Sequence, residues 1–281
     1  MDKRRVVVTG LGCITPVGNS VDEFWSSLML GKSGVSDITV FDAENMAVKF
    51  SASIKDFDAE KYFDLKEQRK LDLFMQYGMA AGIDAVNDSM INDADLDTER
   101  VGIAIGSGIG GLPSIETTHN TYLKSGPRRI SPFFIPATII NMISGNLSIK
   151  YGYKGPNLSI VTACTTGTHN IGEGFRQIQY SHADVMICGG AEMATTPLGI
   201  GGFAAARALS TRNDDPQKAS RPWDTGRDGF VLGDGAGVLV LEELEHAKRR
   251  GAKIYAEVSG YGMSADAVSY THLRAHETDS Y

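Results

Sequence analysis

Cysteine is scarce in this chain: Cys13, Cys164 and Cys188 are the three among 281 residues. They are too few and too scattered for a disulfide framework or a zinc site, which fits a reducing compartment. Long apolar runs are missing too, and none approaches the length of a membrane span. The start Met1-Asp-Lys-Arg-Arg5 is basic, but Val6-Val7-Val8 behind it stops at Thr9-Gly10, so no signal-peptide h-region follows. The expected location is the cytoplasm. There is no excess of positive charge, since 27 Lys and Arg against 34 Asp and Glu leave a net charge of -7. That argues against a general nucleic-acid binder, and an acidic partner would need a local basic patch. No repeat, low-complexity tract or linker interrupts the sequence. What is there is ordinary for a soluble globular protein, 42% hydrophobic and 22% charged, and long enough for a full core.

Short β patterns alternate with helical ones. Arg4 to Thr9 reads as a buried strand ending in a glycine turn. Ser20-Val-Asp-Glu23 is a capping box, with Phe24, Trp25 and Leu28 as the apolar face of the helix it opens. Leu71, Phe74, Met75, Met79, Ile83 and Val86 keep helical spacing and predict a long amphipathic helix. Val101 to Ile105 is a strand, and Ile139, Ile140, Ile143 and Leu147 mark a helix. Asp184 to Cys188 is a strand ending at Gly189-Gly190, and Val238 to Leu241 another, followed by a helix over 242–250. Lys253 to Ser259 alternates as one more strand. The sum is an α/β layered fold.

Cys164 is the residue with the most chemistry to offer. It stands in Val161-Thr-Ala-Cys-Thr-Thr-Gly167, between the apolar run Leu158 to Val161 and a helical pattern from His169 to about Tyr180. Unpaired amides and the macrodipole of a helix N-terminus favour a thiolate, and the same amides can hold an oxyanion. Gly167 would permit close packing there. The other reading of Cys164 is a small buried hydrophobe. Gly106-Ser-Gly-Ile-Gly-Gly111 follows a strand and fits the dinucleotide fingerprint. Its context does not: Leu112-Pro113 onward is no clean apolar helix, and Arg128 and Arg129 stand where an acidic ribose ligand belongs. A tight glycine loop beside a backbone or a pocket is the better reading.

Eight segments in order resemble the β-ketoacyl-acyl-carrier-protein synthases. They are Val6 to Gly12, Gly106 to Gly111, Ser131 to Phe134, Val161 to Gly167, Gly189 to Glu192, Ala206 to Arg212, Arg221 to Asp224 and Asp228 to Gly237. Order and spacing resemble the elongating synthase II, from about Lys3 to Ala267, with Thr166 where the family often has serine. The resemblance implies a thiolase-like α/β fold, layered α/β/α/β/α in the intact protein, of which this chain holds the first half and the start of the second. It also implies a homodimer, and decarboxylative Claisen condensation without a redox cofactor. Cys164 would take an acyl chain from acyl-carrier protein. The carbanion formed when malonyl-carrier protein loses carbon dioxide would then attack the thioester. Ile109 and Phe203 would line the acyl pocket, with Phe134 approaching from across the dimer. Lys66, Arg69, Lys70, Arg128, Arg129 and Arg207 would receive the acidic carrier protein. Each of these positions also has a plain reading, as core packing or as a solvated helix face. His169 is read as structural, because five residues along a helix point it away from the thiol. Cys13 and Cys188 are read as buried packing residues.

The implied activity also needs two histidines, a lysine and a phenylalanine gate from the second half of the fold. The resulting division is 1–252 for the first half, 253–267 for the first strand of the second, and 268–281 for a tail that looks like read-through. His272 and His276 in that tail are not assigned the missing roles. Half of a two-sheet core would then face water, so the chain as written is expected to fold poorly and not to complete condensation. Two other classes remain open: a silent partner resembling chain-length factors, which the presence of Cys164 argues against, and a nucleotide-binding module on the Gly106 loop. A specialised polyketide or lipid ketosynthase is the alternative within the same chemistry.

Overall fold

The structure, a computed structural model, describes residues 3–265. The strands are β1 (Val6–Ile14), β2 (Ser36–Asp37), β3 (Phe50–Ser51), β4 (Val101–Gly106), β5 (Asn157–Leu158), β6 (Val185–Glu192), β7 (Gly235–Glu243) and β8 (Ala256–Val258). The helices are α1 (Val21–Met29), α2 (Leu65–Gln68), α3 (Leu73–Ser89), α4 (Leu112–Ser125), α5 (Phe134–Thr138), α6 (Met142–Tyr151), α7 (Thr166–Gln179), α8 (Pro197–Ala205) and α9 (Leu244–Arg249). Six strands form one mixed sheet in the order β5-β4-β6-β7-β1-β8, and β2 and β3 make a separate pair. β4 runs parallel to β5 and β6, while β6–β7, β7–β1 and β1–β8 are antiparallel. The strand expected to open a second half, β8, therefore pairs with β1 at the edge of this same sheet.

Side-chain alternation divides the core between the two faces of the sheet. Ile103, Ile105, Ile187 and Val240 point to the face covered by α3 and α6. Ala104, Met186, Cys188 and Leu241 point to the face covered by Phe175 and Ile178 of α7. Burial on both faces explains the near-continuous apolar runs in β4 and β6. Among the described residues α7 packs on the side of the sheet opposite α3 through Phe175 and Ile178. Exposed apolar side chains occur in α1 and around α5, and also at Leu123, Ile149, Val161, Leu198 and Trp223.

Several element boundaries differ from the sequence reading, each for a tertiary reason. β1 does not stop at a glycine turn but runs through Gly10 and Gly12 to Ile14, with a register shift between Val8 and Gly10. A Cβ on either glycine would strike the α3 backbone, at Ala85 O for Gly10 and Ala81 O for Gly12, so the glycines are packing devices. The predicted long helix is α3, and the basic residues ahead of it lie outside that helix. α2 carries Lys66, and a turn containing Arg69 and Lys70 precedes α3, which Asp72 caps by accepting from the Phe74 N–H. α3 is not amphipathic; it is buried nearly all round, from Phe74 to Ser89. Leu112–Ser125 is a full helix despite its mixed composition, with Pro113 in its first turn where no amide is missed. Ile139 and Ile140 lie between α5 and α6 rather than within a helix. In α1, Ser20 accepts from the Glu23 N–H as expected, yet of the predicted apolar face Phe24 is half-buried, while Trp25 is 62% and Leu28 47% exposed.

Candidate functional site around Cys164

After β5 the chain runs extended to Thr162, turns through Ala163, Cys164 and Thr165, and enters α7 at Thr166. The helix starts three residues earlier than its apolar pattern suggests, which places Cys164 in the turn that feeds it. Cys164 is exposed, which corrects the alternative reading of a buried packing residue. Ala163 adopts a left-handed backbone, φ 51°, a conformation that costs a non-glycine residue about 1–2 kcal/mol. Nothing in the sequence marks Ala163 for it.

Asn170, fully buried, holds this turn. Its Oδ1 accepts from the Ile160 N–H (3.0 Å), and its Nδ2 donates to Ile160 O (2.9 Å) and Thr166 O (2.8 Å). The Thr166 hydroxyl accepts from the Thr162 N–H (2.9 Å). His169 bonds the Thr162 hydroxyl through Nδ1 (2.8 Å) and lies edge-on to Tyr261, a structural role as expected. The close approach foreseen at Gly167 is real, but the glycine it demands is Gly190. A Cβ on Gly190 would come within 3.0 Å of Gly167 Cα, whereas one on Gly167 would make an ordinary 3.6 Å contact.

Cys164 opens onto a cavity of about 740 Å³. Ile109 and Phe203 line it with Cys164, together with Phe230, Glu192 and Asp234. Phe203 and Phe230 meet edge to face, centroids 5.3 Å apart. The buried Asp234 carboxylate accepts from the Ala194 (2.9 Å) and Thr195 (3.1 Å) amides. Burial pushes the Asp234 carboxyl above its ordinary range, and these hydrogen bonds only partly oppose the shift.

The Gly106–Gly111 loop borders the same cavity, and its amides are already engaged. Glu192 accepts from the Ser107 hydroxyl (2.7 Å) and from the amides of Gly108 (2.9 Å) and Ile109 (3.2 Å). Ser107 Oγ accepts from the Gly110 N–H (3.0 Å). A protein carboxylate thus fills the anion nest that a dinucleotide phosphate would need, which removes the nucleotide-binding reading.

The remaining site candidates are spread out. Phe134, on α5, is not in the wall of this cavity; it borders a separate groove of about 260 Å³ with Arg69 and Phe133. Lys66, Arg69, Lys70, Arg128, Arg129 and Arg207 are all exposed. Lys70 stands over the Phe133 ring at 5.2 Å, and Arg128 and Arg129 lie in the turn between α4 and α5. Arg207 follows α8 with φ 55°. Cys188 is buried and its thiol is pushed far up by desolvation. Cys13 is half-buried rather than buried, its thiol pushed up to about 11, chiefly by desolvation. Among the described residues no group of three His, Cys, Asp or Glu side chains is placed to hold a metal ion. His272 and His276 lie outside the described residues. Glu192, Asp234 and Asn170 were not singled out by the sequence, and only membership of glycine-rich segments hinted at the first two.

Comparison with known proteins agrees with this architecture. The model of the family described as "Beta-ketoacyl synthase, N-terminal domain" matches residues 3–247. A 3-oxoacyl-[acyl-carrier-protein] synthase 2 from Vibrio harveyi is 60% identical over 271 residues, which is 96% of this chain and 65% of the relative. A crystal structure of a β-ketoacyl synthase from Burkholderia phymatum superposes with TM-score 0.84 at 31% identity, covering 95% of this chain and 65% of that one. A type II PKS acyl-carrier protein in complex with its ketosynthase bound to the hexaketide gives TM-score 0.77 at 34% identity, covering 92% and 62%. The chain therefore spans about 65% of the length of the curated relative it matches. With a thiolase-like mixed sheet, a cysteine at the head of the helix that crosses it, and a family match over most of its length, the chain belongs to the β-ketoacyl synthase family.

Proposed function

We propose that this chain is the acyl-accepting part of a 3-oxoacyl-acyl-carrier-protein synthase of the elongating type. The observation that carries the reading is Cys164, exposed at the mouth of an apolar-walled cavity and held by a left-handed turn at the head of α7. Its sulfur attacks the carbonyl of an acyl thioester. The acyl–sulfur bond of the donor breaks, a new one forms at Cys164, and the proton lost by the cysteine leaves with the carrier thiol. Amides at the start of α7 are the local donors for the oxyanion. The acyl chain lies between Ile109 and Phe203. A malonyl thioester then loses carbon dioxide, and its carbanion displaces Cys164 to give a 3-oxoacyl product two carbons longer. The two histidines, the lysine and the phenylalanine gate for that step belong, by the resemblance, to the remaining length of the relatives. Decarboxylation is accordingly assigned to the whole protein, with 1–252 as the first half and 253–267 leading into the second.

Carrier protein docks on the exposed cations Lys66, Arg69, Lys70, Arg128 and Arg129, with Arg207 nearer the end of α8. The carrier-protein complex of the related ketosynthase supports such a partner. A second copy covers α5, where Phe133 (42%) and Ile135 (59%) are exposed, and brings Phe134 toward the neighbouring pocket. Cytoplasmic location goes with this reading, and no helix among the described residues is long and apolar enough to cross a membrane. Identity of 60% to a synthase 2, against 34% to the polyketide ketosynthase, favours fatty acyl chains over polyketides.

The test is intact-mass analysis of the whole protein containing this chain after incubation with an acyl thioester. One acyl group is expected on Cys164 and none in Cys164→Ala. Acylation that survives Cys164→Ala would refute the assignment.

A further inference from the structure

We propose that Glu192 is a specificity-positioning residue: a latch that fixes the Gly106–Gly111 loop and, through Ile109, sets which acyl chains reach Cys164. This rests on the acyl-transfer reading of the same cavity. Glu192 ends β6, two residues beyond Gly190, which pairs with Gly106 at the end of β4. The parallel register thus delivers its carboxylate to the loop that β4 releases. One oxygen takes the Ser107 hydroxyl, the other takes the Gly108 and Ile109 amides, and Ser107 relays the hold to the Gly110 amide. Three consecutive amides therefore depend on one side chain.

The loop is anchored differently at its far end, where the Gly111 N–H donates to Thr138 O at the end of α5 (3.1 Å). Gly110, at φ 83°, makes the turn between the two anchors. Ile109 lies between them, 38% exposed, with its side chain in the wall of the Cys164 cavity. Gly108 leaves room for the carboxylate, since a Cβ there would sit 2.7 Å from Glu192 Oε2. A carboxylate accepting several amides is a strong and directional hold. Without it, the Gly108 and Ile109 amides lose their acceptor, and the bond from the Gly110 N–H to Ser107 Oγ is left to hold the apex together with its ends.

The experiment uses the full-length protein containing this chain and the butyryl and dodecanoyl thioesters of N-acetylcysteamine. Acylation rates of Cys164 are read by intact mass. Glu192→Ala is expected to change the dodecanoyl-to-butyryl rate ratio by at least about twofold, the lower end of coupling within one hydrogen-bond network. Glu192→Gln, which keeps one acceptor oxygen, should fall closer to the unaltered protein. Ile109→Ala should also shift the ratio, and Glu192→Ala should shift it no further in that background. If both rates fall by one common factor, or if the two ratio effects simply multiply, the latch is overturned. Should Glu192→Ala not fold, Ser107→Ala severs the relay to Gly110 and must shift the ratio in the same direction as Ile109→Ala, by less because the Gly108 and Ile109 amides keep their acceptor, or the proposal fails. If neither thioester labels Cys164 in the unaltered protein, the acyl-transfer reading itself falls, and the latch with it.

Discussion

Asn170 gives the most discriminating test of how the nucleophile's turn is held. Its amide makes three hydrogen bonds, one accepted and two donated, between Ile160 in the extended segment after β5 and the first turn of α7. At about 1 kcal/mol net per bond, Asn170→Ala should cost about 3 kcal/mol. Water reaching the half-buried Ile160 would trim this toward about 2, while any group left unsatisfied adds to it. Asn170→Asp separates orientation from mere polarity. One oxygen still accepts from the Ile160 amide, but the other faces two carbonyl oxygens where the amide donated. A buried charge with no donor on that side is costly, so at neutral pH Asn170→Asp should be worse than Asn170→Ala by at least about 1 kcal/mol. The sign with pH follows. The introduced carboxyl is raised in the folded state, so its penalty is present at neutral pH and relieved as pH falls through that raised value, when protonation restores a donor. Urea denaturation at neutral and mildly acidic pH checks this. Acyl transfer to Cys164 should fall in both variants, by up to about 100-fold if the sulfur moves by an ångström. An Asn170→Asp protein as stable at neutral pH as Asn170→Ala, or more so, would refute the hydrogen-bond assignment.

Two further predictions concern the charged clusters behind the sheet. Glu242 has no exposed surface and is bound by Arg250 (2.7 and 2.8 Å), His246 (2.6 Å) and Thr9 (2.8 Å). Burial alone would push its carboxyl up, but the bonds from Arg250 and His246 outweigh burial and the net direction is down. Arg250→Ala should therefore cost about 3–5 kcal/mol in urea denaturation, because it strands a buried charge. Asp184, bonded by Arg100 and Arg4, is held at about 2 against an ordinary 3.8, chiefly by the Arg100 hydrogen bond. A depressed carboxyl stabilises above its unfolded value and loses that contribution as pH falls through the folded one. Asp184→Asn should thus lower stability by about 1–2 kcal/mol at neutral pH, a range reduced for the side chain's partial exposure, and the deficit should close between pH 4 and 2. A deficit that stays constant over that interval would show that the ion pairs contribute nothing.

The site was legible in the sequence where its logic is local. Cys164 between an apolar run and a helical pattern predicts a thiol at a helix head, and the structure places it there, exposed. Ile109 and Phe203 entered through family resemblance, and both line its cavity. Periodicity misled where burial is not one-sided. α3 reads as amphipathic, yet it is enclosed by the sheet, α6 and the surrounding loops. α1 shows the opposite failure, an apolar stripe of which Phe24 is half-buried while Trp25 and Leu28 are exposed.

The sequence by itself determined the order of strands and helices, the cysteine's turn, and the glycine-rich points where backbones draw close. These depend on neighbours a few residues away, which propensity, capping and side-chain period encode. Tertiary structure alone decided what Glu192, Asp234 and Asn170 do. A carboxylate or amide is indifferent to its partner until the fold presents one. Glu192 meets Ser107 across 85 residues because β6 lies parallel to β4 in one register, and Asp234 meets Ala194 across 40. Burial then makes those particular bonds obligatory, since a polar group removed from water must find its partner inside the protein or leave the fold less stable.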